Sequence, residues 1–395
     1  MIPEKFNTEI FEFIKENESS DPFEISLRSN QFPPDTRKLI SEQVLSRQKI
    51  RKKVPSWGNF DKIILPKPES IEQASSENTA VYKSELIDGG RLLDLTGGTG
   101  VDTCFFAKKA SHVDYVEKDP DLADIAAYNF AYMGLKNIRV VNQKAEEFLS
   151  DLDSSDVYDE IYIDPSRRNL SERVFKLEDS EPDILKLQDQ LNLLSPKLII
   201  KASPFLDIQY AFRKVNHLRE AHVLAVDNEC KEILLVCEAS NTDKDLHLTT
   251  INFSKGEMQR YDSSVFKEKE SQAEISDTGN FLYDPNAAIR KAGLFNSIAR
   301  DFSLGKLSGN SHLYFSDTLS QRFPGRIFEL IDQIPFHKFL KKPLCKKANI
   351  AIRNFPLSVL EIRKRTGIKE GGDLFIFGTT DHQKNAFFIL AKRIT

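Results

Sequence analysis

The chain has 395 residues, enough for two or three domains at about 150 residues each. Its 40% hydrophobic and 29% charged residues are typical of globular proteins and exclude a collagen-like or wholly disordered chain. The net charge of −4 excludes a uniformly basic nucleic-acid coat, yet residues 335–395 hold thirteen Lys or Arg against four Asp or Glu. A basic carboxyl-terminal segment in an otherwise acidic chain is suited to contact with a polyanion.

The amino-terminal residues, 1–83, are predicted to form an α-helical region. Apolar residues recur at helical spacing in two places, at Phe6–Ile14 and from Thr36 to about Lys52. The polar connection 72–80 is predicted to contain a capped helix start. No signal-peptide pattern opens the chain, and the four scattered cysteines indicate reduced structural thiols, so we expect a soluble cytoplasmic protein without a metal.

Residues 84–240 are predicted to form a Rossmann-like α/β domain, because short apolar runs alternate with segments of helical length. Such alternation indicates a parallel sheet with helices on both faces. The seven predicted strands are Leu92–Leu95, Val113–Glu117, Ile138–Val141, Ile161–Ile163, Leu198–Ile200, Val223–Val226 and Ile233–Cys237. The last two should pair antiparallel, because the connection between them is too short for a crossover helix.

The remainder is predicted to divide into an α+β domain over residues 245–323 and a basic domain over residues 324–395. The first contains a strand-like segment at Leu248–Phe253 and an apolar segment from Pro285 to Phe302 that is predicted to be one helix.

The most informative motif is a glycine-rich loop after the first strand of the sheet. The strand ends in Asp94, and the loop contains Thr96, Gly97, Gly98 and Gly100. Glycines let a ligand approach the backbone closely. A dinucleotide fingerprint would have another glycine where Thr103 stands, and Asp102 is unfavourable for a pyrophosphate. The acid at the strand end suits a cationic ligand such as S-adenosylmethionine, which carries a sulfonium and an ammonium group.

Two further strand ends are predicted to contact this cofactor. Glu117 follows Asp94 by 23 residues, near the ~20 expected for a carboxylate that accepts from ribose hydroxyls. The predicted cofactor site also includes Lys118, which is the neighbour of Glu117, together with Asp102 and Asp164. After the third strand, Ala145 and Glu146 are expected to border the adenine.

A second candidate site lies at the Asp164-Pro-Ser-Arg-Arg168 motif, after a buried strand where open α/β sheets bind ligands. Arg167 and Arg168 could hold a substrate phosphate or pair with nearby acids. Lys201, which ends the fifth strand, could orient a substrate, act as a base, or form an ion pair with Asp164.

The order of these motifs resembles class I S-adenosylmethionine-dependent methyltransferases, and more specifically the bacterial methyltransferases with a THUMP-like carboxyl-terminal domain. The matching stretches are Glu72–Ala80, Asp94–Gly100, Asp164–Arg168, Ile200–Pro204, Tyr283–Ala288, His312–Phe315, Phe323–Arg326, Phe355–Val359 and Gly371–Phe375. The resemblance implies a seven-stranded methyltransferase sheet, a ferredoxin-like portion and a module related to RNA-binding THUMP domains. It also implies that Gln73, Ser76 and Thr79 cover the methionine end of the cofactor.

Two departures from the related patterns are informative. Thr96 stands where the family has glycine, and Asp-Pro-Ser-Arg stands where RNA or DNA amino-methyltransferases have Asn/Asp-Pro-Pro-aromatic. The motif therefore lacks the aromatic residue that would stack on a target base.

We expect a methyltransferase that acts on RNA, either tRNA or rRNA. Asp164 is the expected proton acceptor, with Lys201 and Arg167 as positioning groups, because methyl transfer mainly requires alignment and a group that takes a proton. The residues expected to bind RNA are Arg167, Arg168, Lys341, Lys342, Arg363 and Arg365. The alternatives are a methyltransferase for protein or small molecules, and a non-catalytic RNA-binding protein with the cofactor fold.

Overall fold

The computed structural model describes residues 3–153, 156–167, 176–240, 242–341 and 343–394. The chain divides into two compact units. The first contains residues 1–218 and 234–242, and the second contains residues 219–233 and 243–395.

The first unit begins with α-helices, as predicted. They are α1 (Thr8–Glu16), α2 (Pro22–Arg28), α3 (Pro34–Lys53), α4 (Pro68–Gln73) and α5 (Glu77–Glu85). Helix α3 continues into a short turn whose buried Trp57 lies in one apolar cluster with Tyr115 and Phe130 of the following domain. This cluster fixes the helical region on the sheet, because burial of large apolar side chains is the main source of stability.

The α/β part of the first unit confirms the predicted fold class. Its elements are β1 (Arg91–Asp94), α6 (Val101–Phe106), β2 (His112–Val116), α7 (Pro120–Tyr132), β3 (Ile138–Val141), α8 (Ala145–Asp151), β4 (Glu160–Ile163), β5 (Ser166–Arg167), β6 (Ser180–Glu181), α9 (Ile184–Leu194), β7 (Lys197–Ala202) and α10 (Ile208–Lys214). Strands β7, β4, β1, β2 and β3 are adjacent in that order and pair parallel. Their inner residues are mostly apolar, as expected for strands covered on both faces. An exception is Asp114 at the centre of β2, which is buried and forms ion pairs with Arg91 and Arg139.

The next two strands, β8 (Leu218–Val226) and β9 (Glu229–Glu238), are joined by Asp227 and Asn228. Both residues are left-handed, with φ of 49° and 64°, which is the backbone of a two-residue turn between antiparallel strands. This turn agrees with the predicted antiparallel pairing.

Two further strands continue from β8 in the second unit; the first was predicted as the strand-like segment Leu248–Phe253, and the second was not predicted. They are β10 (His247–Ser254) and β11 (Glu257–Ser264). Strand β10 pairs parallel with β8 and antiparallel with β11. The alternating polar residues of β11 concealed it, because its sequence is as polar as that of a loop.

The second unit also contains a seven-stranded sheet. After α11 (Val265–Glu270), its elements are β12 (Phe281–Pro285), α12 (Ala287–Ala292), α13 (Asn296–Asp301), β13 (Gly305–Lys306), β14 (Tyr314–Ser316), β15 (Gly325–Pro335), α14 (Phe336–Lys341), β16 (Asn349–Arg353), α15 (Val359–Thr366), β17 (Leu374–Thr380) and β18 (Ala386–Arg393). The strand order is β13-β14-β12-β15-β18-β17-β16. The predicted single helix over Pro285–Phe302 is wrong, because Gly293 is left-handed with φ of 74° and ends α12.

None of the described helices is long and apolar enough to cross a lipid bilayer. The described residues also contain no group of three or more His, Cys, Asp or Glu that could hold a metal ion.

Candidate functional site

The parallel pairing of β1, β2, β4 and β7 brings the predicted site residues to one edge of the sheet. The carboxyl ends of parallel strands point the same way, so Asp94, Glu117, Asp164 and Lys201 all lie at this edge. We call it the carboxyl edge.

Two glycines of the loop after β1 are required by close packing. A side chain at Gly97 would lie 2.0 Å from the ring of Tyr115, whose hydroxyl donates to the Gly98 carbonyl at 2.6 Å. Gly100 is left-handed with φ of +78°, and a side chain there would lie 2.8 Å from Phe130. The loop is thus held against the ring of Tyr115 and helix α7.

Asp94 is buried at the end of β1 and is held by its own loop. Its carboxylate accepts a hydrogen bond from the Thr103 hydroxyl and one from the Thr96 N–H at 3.3 Å. Burial raises the pKa of this carboxyl to about 7, with a smaller contribution from nearby Asp102. A raised pKa means that the ionised form lacks a compensating positive charge.

Glu117 is buried immediately after β2 and connects two loops. One carboxylate oxygen accepts from the Gly98 N–H at 2.8 Å, and the other accepts from the Asp119 N–H at 2.8 Å. A carboxylate has about four acceptor positions, so each oxygen can still accept another hydrogen bond.

Thr96, which stands where the related methyltransferases have glycine, makes a side-chain contact of its own. Its hydroxyl oxygen accepts from the Asp164 backbone N–H at 2.6 Å. A glycine has no side chain to make this bond, which joins the loops after β1 and β4.

Asp164 and Lys201 form an ion pair, which was one of the open interpretations of Lys201. The Lys201 ammonium donates to Asp164 Oδ2 at 2.5 Å. The Lys201 side chain is largely buried, whereas that of Asp164 is 37% exposed. Among the described residues, Asp164 Oδ1 accepts no hydrogen bond.

A buried cluster around Asp102 completes the carboxyl edge. Asp102 itself was predicted to bind the cofactor, but its side-chain partners were not predicted. Asp102 Oδ2 accepts from the Lys83 ammonium at 2.8 Å, the Ser75 hydroxyl at 2.9 Å and the Tyr162 hydroxyl at 2.9 Å. Burial alone would raise the pKa of Asp102, but the charges of Lys83 and Lys201 hold it below its usual value. The other oxygen, Oδ1, is buried and has no partner among the described residues.

The segment before β1 contributes a capped helix, as predicted. Ser76 caps α5 and its hydroxyl oxygen accepts from the Thr79 N–H at 3.4 Å. Gln73 is exposed at the end of α4. Cofactor contacts of all three residues stay predictions.

The remaining predicted residues of the first unit lie at strand ends but differ in exposure. Lys118 forms an exposed ion pair with Glu181 at 2.7 Å. Ala145 is buried in the first turn of α8, and the adjacent Glu146 is exposed. Arg167 lies in β5, and Arg168 is outside the described residues.

Phe205 is an aromatic residue at the carboxyl edge that was not predicted. It lies in the loop after β7, four residues beyond Lys201, and is 64% exposed. Single exposed apolar side chains are common on protein surfaces, so this exposure alone assigns no function to Phe205. No local pattern in the sequence distinguishes it from a core phenylalanine.

In the second unit, the basic residues of the carboxyl-terminal segment differ in their contacts. A groove of about 840 Å³ is lined by residues that include Lys346, Lys347 and Lys369. Arg363 donates to the Ile368 carbonyl at 3.1 Å, so part of its guanidinium already stabilises the end of α15. The other residues predicted to bind RNA are Lys341 and Arg365, which are exposed, and Lys342, which is outside the described residues.

Comparison with known proteins gives matches to the second unit and to the whole chain. Residues 281–324 match a family of ferredoxin-like domains, and residues 325–393 match a THUMP domain-like family. The crystal structure of a proposed methyltransferase from Porphyromonas gingivalis W83 is similar over 99% of this chain and 100% of its own. It has 30% sequence identity and a TM-score of 0.89.

Two curated proteins match shorter parts of the chain. One, from Mycoplasma mobile, is described as an uncharacterised RNA methyltransferase and is 30% identical over 132 residues, 33% of this chain and 34% of that protein. The other, from Methanobrevibacter smithii, is described as a cobalt-precorrin-6B C(15)-methyltransferase and is 28% identical over 78 residues, 20% of this chain and 42% of that protein. The chain therefore spans less than half the length of each of these curated relatives.

Proposed function

This chain belongs to one family with the Porphyromonas gingivalis protein, and we propose that it transfers a methyl group from S-adenosylmethionine to RNA. The observation that carries the proposal is the glycine loop at the carboxyl edge, held by Glu117 through the Gly98 N–H. A loop of this kind, closed by the acid of the next strand, is suited to a nucleoside whose ribose hydroxyls need an acceptor.

The residues of the carboxyl edge fit the charges of this cofactor. Asp94 has a pKa of about 7, and the buried Oδ1 of Asp102 lacks a partner among the described residues. Both observations indicate an excess of negative charge at the carboxyl edge, and the positive ammonium group of the cofactor would neutralise part of it. Glu117 would hold the ribose, and the cofactor when bound would supply the methyl group.

Asp164 is the group that we propose to accept the substrate proton. Its backbone is fixed by Thr96, and its carboxylate is oriented by Lys201. The ion pair uses only Oδ2 of the carboxylate. Oδ1 accepts no hydrogen bond from the described residues and can therefore accept the substrate proton. Lys201 is then a positioning residue, because it acts through Asp164.

The groove of the second unit is the proposed RNA contact. Lysines 346, 347 and 369 line it, and the THUMP domain-like match covers the same segment. Replacing both Lys346 and Lys347 by alanine removes two charges, so the slope of log affinity against log salt should become shallower by about 0.7 × 2, roughly 1.4. Lys384→Ala, in an exposed loop outside the groove lining, is the matched control.

Methyl transfer from isotopically labelled S-adenosylmethionine tests the reaction itself. The full-length protein is incubated with total RNA and with total protein from cells that lack it. We expect label in RNA, and mass spectrometry of its nucleosides then identifies the modified base.

The result also separates the alternatives. Label in protein or in a small molecule would contradict the RNA proposal. Cofactor binding without transfer to any fraction would favour the non-catalytic RNA-binding protein.

A further inference from the structure

A buried carboxylate in the second unit is contacted by three arginines. Asp284, at the end of β12, has no exposed side-chain surface. Arg353 Nη2 donates to its Oδ1 at 2.9 Å, and Arg326 Nη2 donates to its Oδ2 at 2.5 Å. Arg290 Nη1 is more distant, at 3.4 Å from Oδ1. We call these four residues the arginine cluster.

The arginine cluster carries a surplus of two positive charges. Burial alone would raise the pKa of Asp284, but the charges of Arg353, Arg326 and Arg290 hold it below its usual value, so the carboxyl is ionised at neutral pH. In the part of the chain that the structure describes, none of the three arginines pairs with a second acid. Partly buried surplus charge is unfavourable unless a counter-charge approaches it.

Several donors of the arginine cluster are available to such a counter-charge. A guanidinium has five N–H donors. Arg326 uses Nε and Nη2 on Asp284, and Arg290 uses Nη1 on Asp284 and on the Pro285 carbonyl. Nη1 of Arg326 and Nη2 of Arg290 therefore donate to no described group. Both side chains are about one quarter exposed, at 26% and 24%, so an ion can reach them.

His312 lies close enough to the arginine cluster to be affected by its charge. Burial, followed by the charges of Lys306, Arg353 and Arg290, lowers the pKa of His312 to about 4. Its ring stacks on Phe295 with centroids 3.6 Å apart, and its buried Nδ1 has no partner among the described residues. The imidazole is thus neutral at pH 7 and adds no positive charge to the arginine cluster.

We propose that the arginine cluster binds a phosphate group. Arginine forks match the geometry of phosphate oxygens and can donate two hydrogen bonds to each anion. A phosphate monoester carries about 1.5 to 2 negative charges at pH 7, which would balance the surplus. The phosphate comes either from an RNA chain or from free inorganic phosphate. The inference goes beyond the proposed methyl transfer, because it concerns only residues of the second unit.

Calorimetry on the full chain tests the site with inorganic phosphate, using chloride at equal ionic strength as the reference. Arg290→Gln is the test variant, because Arg326 and Arg353 remain to pair Asp284 and the unit should fold. We expect at least a tenfold weaker phosphate affinity. Arg300→Gln is the control, since Arg300 lies in α13 and its nearest described acid is Asp301, at 3.7 Å. It should bind phosphate like the wild type.

Arg290→Lys keeps the charge but loses the fork, and it should give an intermediate affinity. It also serves if Arg290→Gln does not fold. No phosphate binding by the wild type, or equal affinity in wild type and Arg290→Gln, would overturn the proposal.

Competition distinguishes the two sources of phosphate. A short oligoribonucleotide with a 5′-phosphate should displace inorganic phosphate more effectively than the same strand with a 5′-hydroxyl if RNA is the ligand. If neither strand competes, the site is one for free phosphate. These measurements involve no methyl transfer. If phosphate does not bind, the proposed methyltransferase reaction is unaffected. If no methylation is found, the phosphate measurements still test the arginine cluster.

Discussion

The two buried acids Asp102 and Asp284 show opposite balances of charge. Asp102, at the carboxyl edge, accepts from one lysine and two hydroxyls and keeps one oxygen without a partner among the described residues. Asp284 has both oxygens occupied, and it is the surrounding arginines that keep unused donors. The first arrangement has an acceptor available for a cation, and the second has donors available for an anion.

This difference is the basis of the two binding proposals made for this chain. At the carboxyl edge, the surplus is acidic and suits the ammonium group of S-adenosylmethionine. At the arginine cluster, the surplus is basic and suits a phosphate. The chain's overall charge of −4 conceals both, because the two surpluses partly cancel in the sum.

The largest expected effect concerns a third acid, Asp164, which lies at the carboxyl edge with Asp102 and is the proposed acceptor of the substrate proton. Asp164→Asn should lower methyl turnover about 10²- to 10⁴-fold, the usual contribution of a positioned acid–base group. Affinity for S-adenosylhomocysteine, measured by calorimetry, should be unchanged. Asp121→Asn, an exposed residue of α7, is the control. Normal turnover in Asp164→Asn would contradict the proposed proton transfer and leave Asp164 with only a structural role after β4.

Asp284→Asn tests the basic side of the comparison. Removing the carboxylate leaves three arginines without their counter-charge, so the free energy of unfolding should fall by about 3–5 kcal/mol. Urea denaturation of the full chain measures the loss, and added phosphate should restore part of it. The matched change Asp102→Asn should cost less, because Ser75 still accepts from Lys83 at 2.5 Å. If Asp284→Asn and Asp102→Asn lower the free energy of unfolding equally, the two acids do not differ in charge balance as described.

The parts that could be predicted from the sequence are those encoded by neighbouring residues. The alternation of β1 to β4 with helices, the loop with Gly97 and Gly100, and the cap at Ser76 each depend on a short segment. Their physical causes, which are burial, backbone freedom and capping, are local. The position of Glu117 followed from the same strand pattern.

The parts that could not be predicted depend on residues far apart in the chain. Arg353 and Asp284 are 69 residues apart, and Tyr162 and Asp102 are 60 apart. Neither pair has a local pattern. The break at Gly293 was missed for another reason, since a glycine within an apolar segment is compatible with a continued helix unless its φ is known.

Glu117→Gln sharpens the account of the carboxyl edge, because Glu117 both supports the glycine loop and is the proposed ribose acceptor. Glutamine keeps the length but replaces one acceptor oxygen by a donor. Hydrogen bonds to a charged group contribute about 1.5–3 kcal/mol, so affinity for S-adenosylhomocysteine should fall about tenfold to a hundredfold. Glu147→Gln, exposed in the first turn of α8, is the control. Unaltered affinity in Glu117→Gln would exclude Glu117 from the cofactor site.

The pH dependence of cofactor binding gives the smallest expected effect and examines Asp94 directly. The pKa of Asp94 is raised to about 7, above the unfolded value of about 3.8, so the folded protein without cofactor holds an extra proton between these pH values. A bound ammonium group favours the ionised carboxylate, so affinity for S-adenosylhomocysteine should increase about tenfold from pH 6 to pH 8. Calorimetry at several pH values measures this slope.

The variant Asp94→Asn has no carboxyl group to ionise at this position and provides the reference. Any pH dependence of affinity that remains in it belongs to the ligand. The same variant should be more stable than the wild type above pH 7, where the ionised Asp94 is unfavourable in the absence of cofactor. Identical slopes in wild type and variant would mean that the ammonium group is not paired with Asp94, and Asp102 would then be the acid to test.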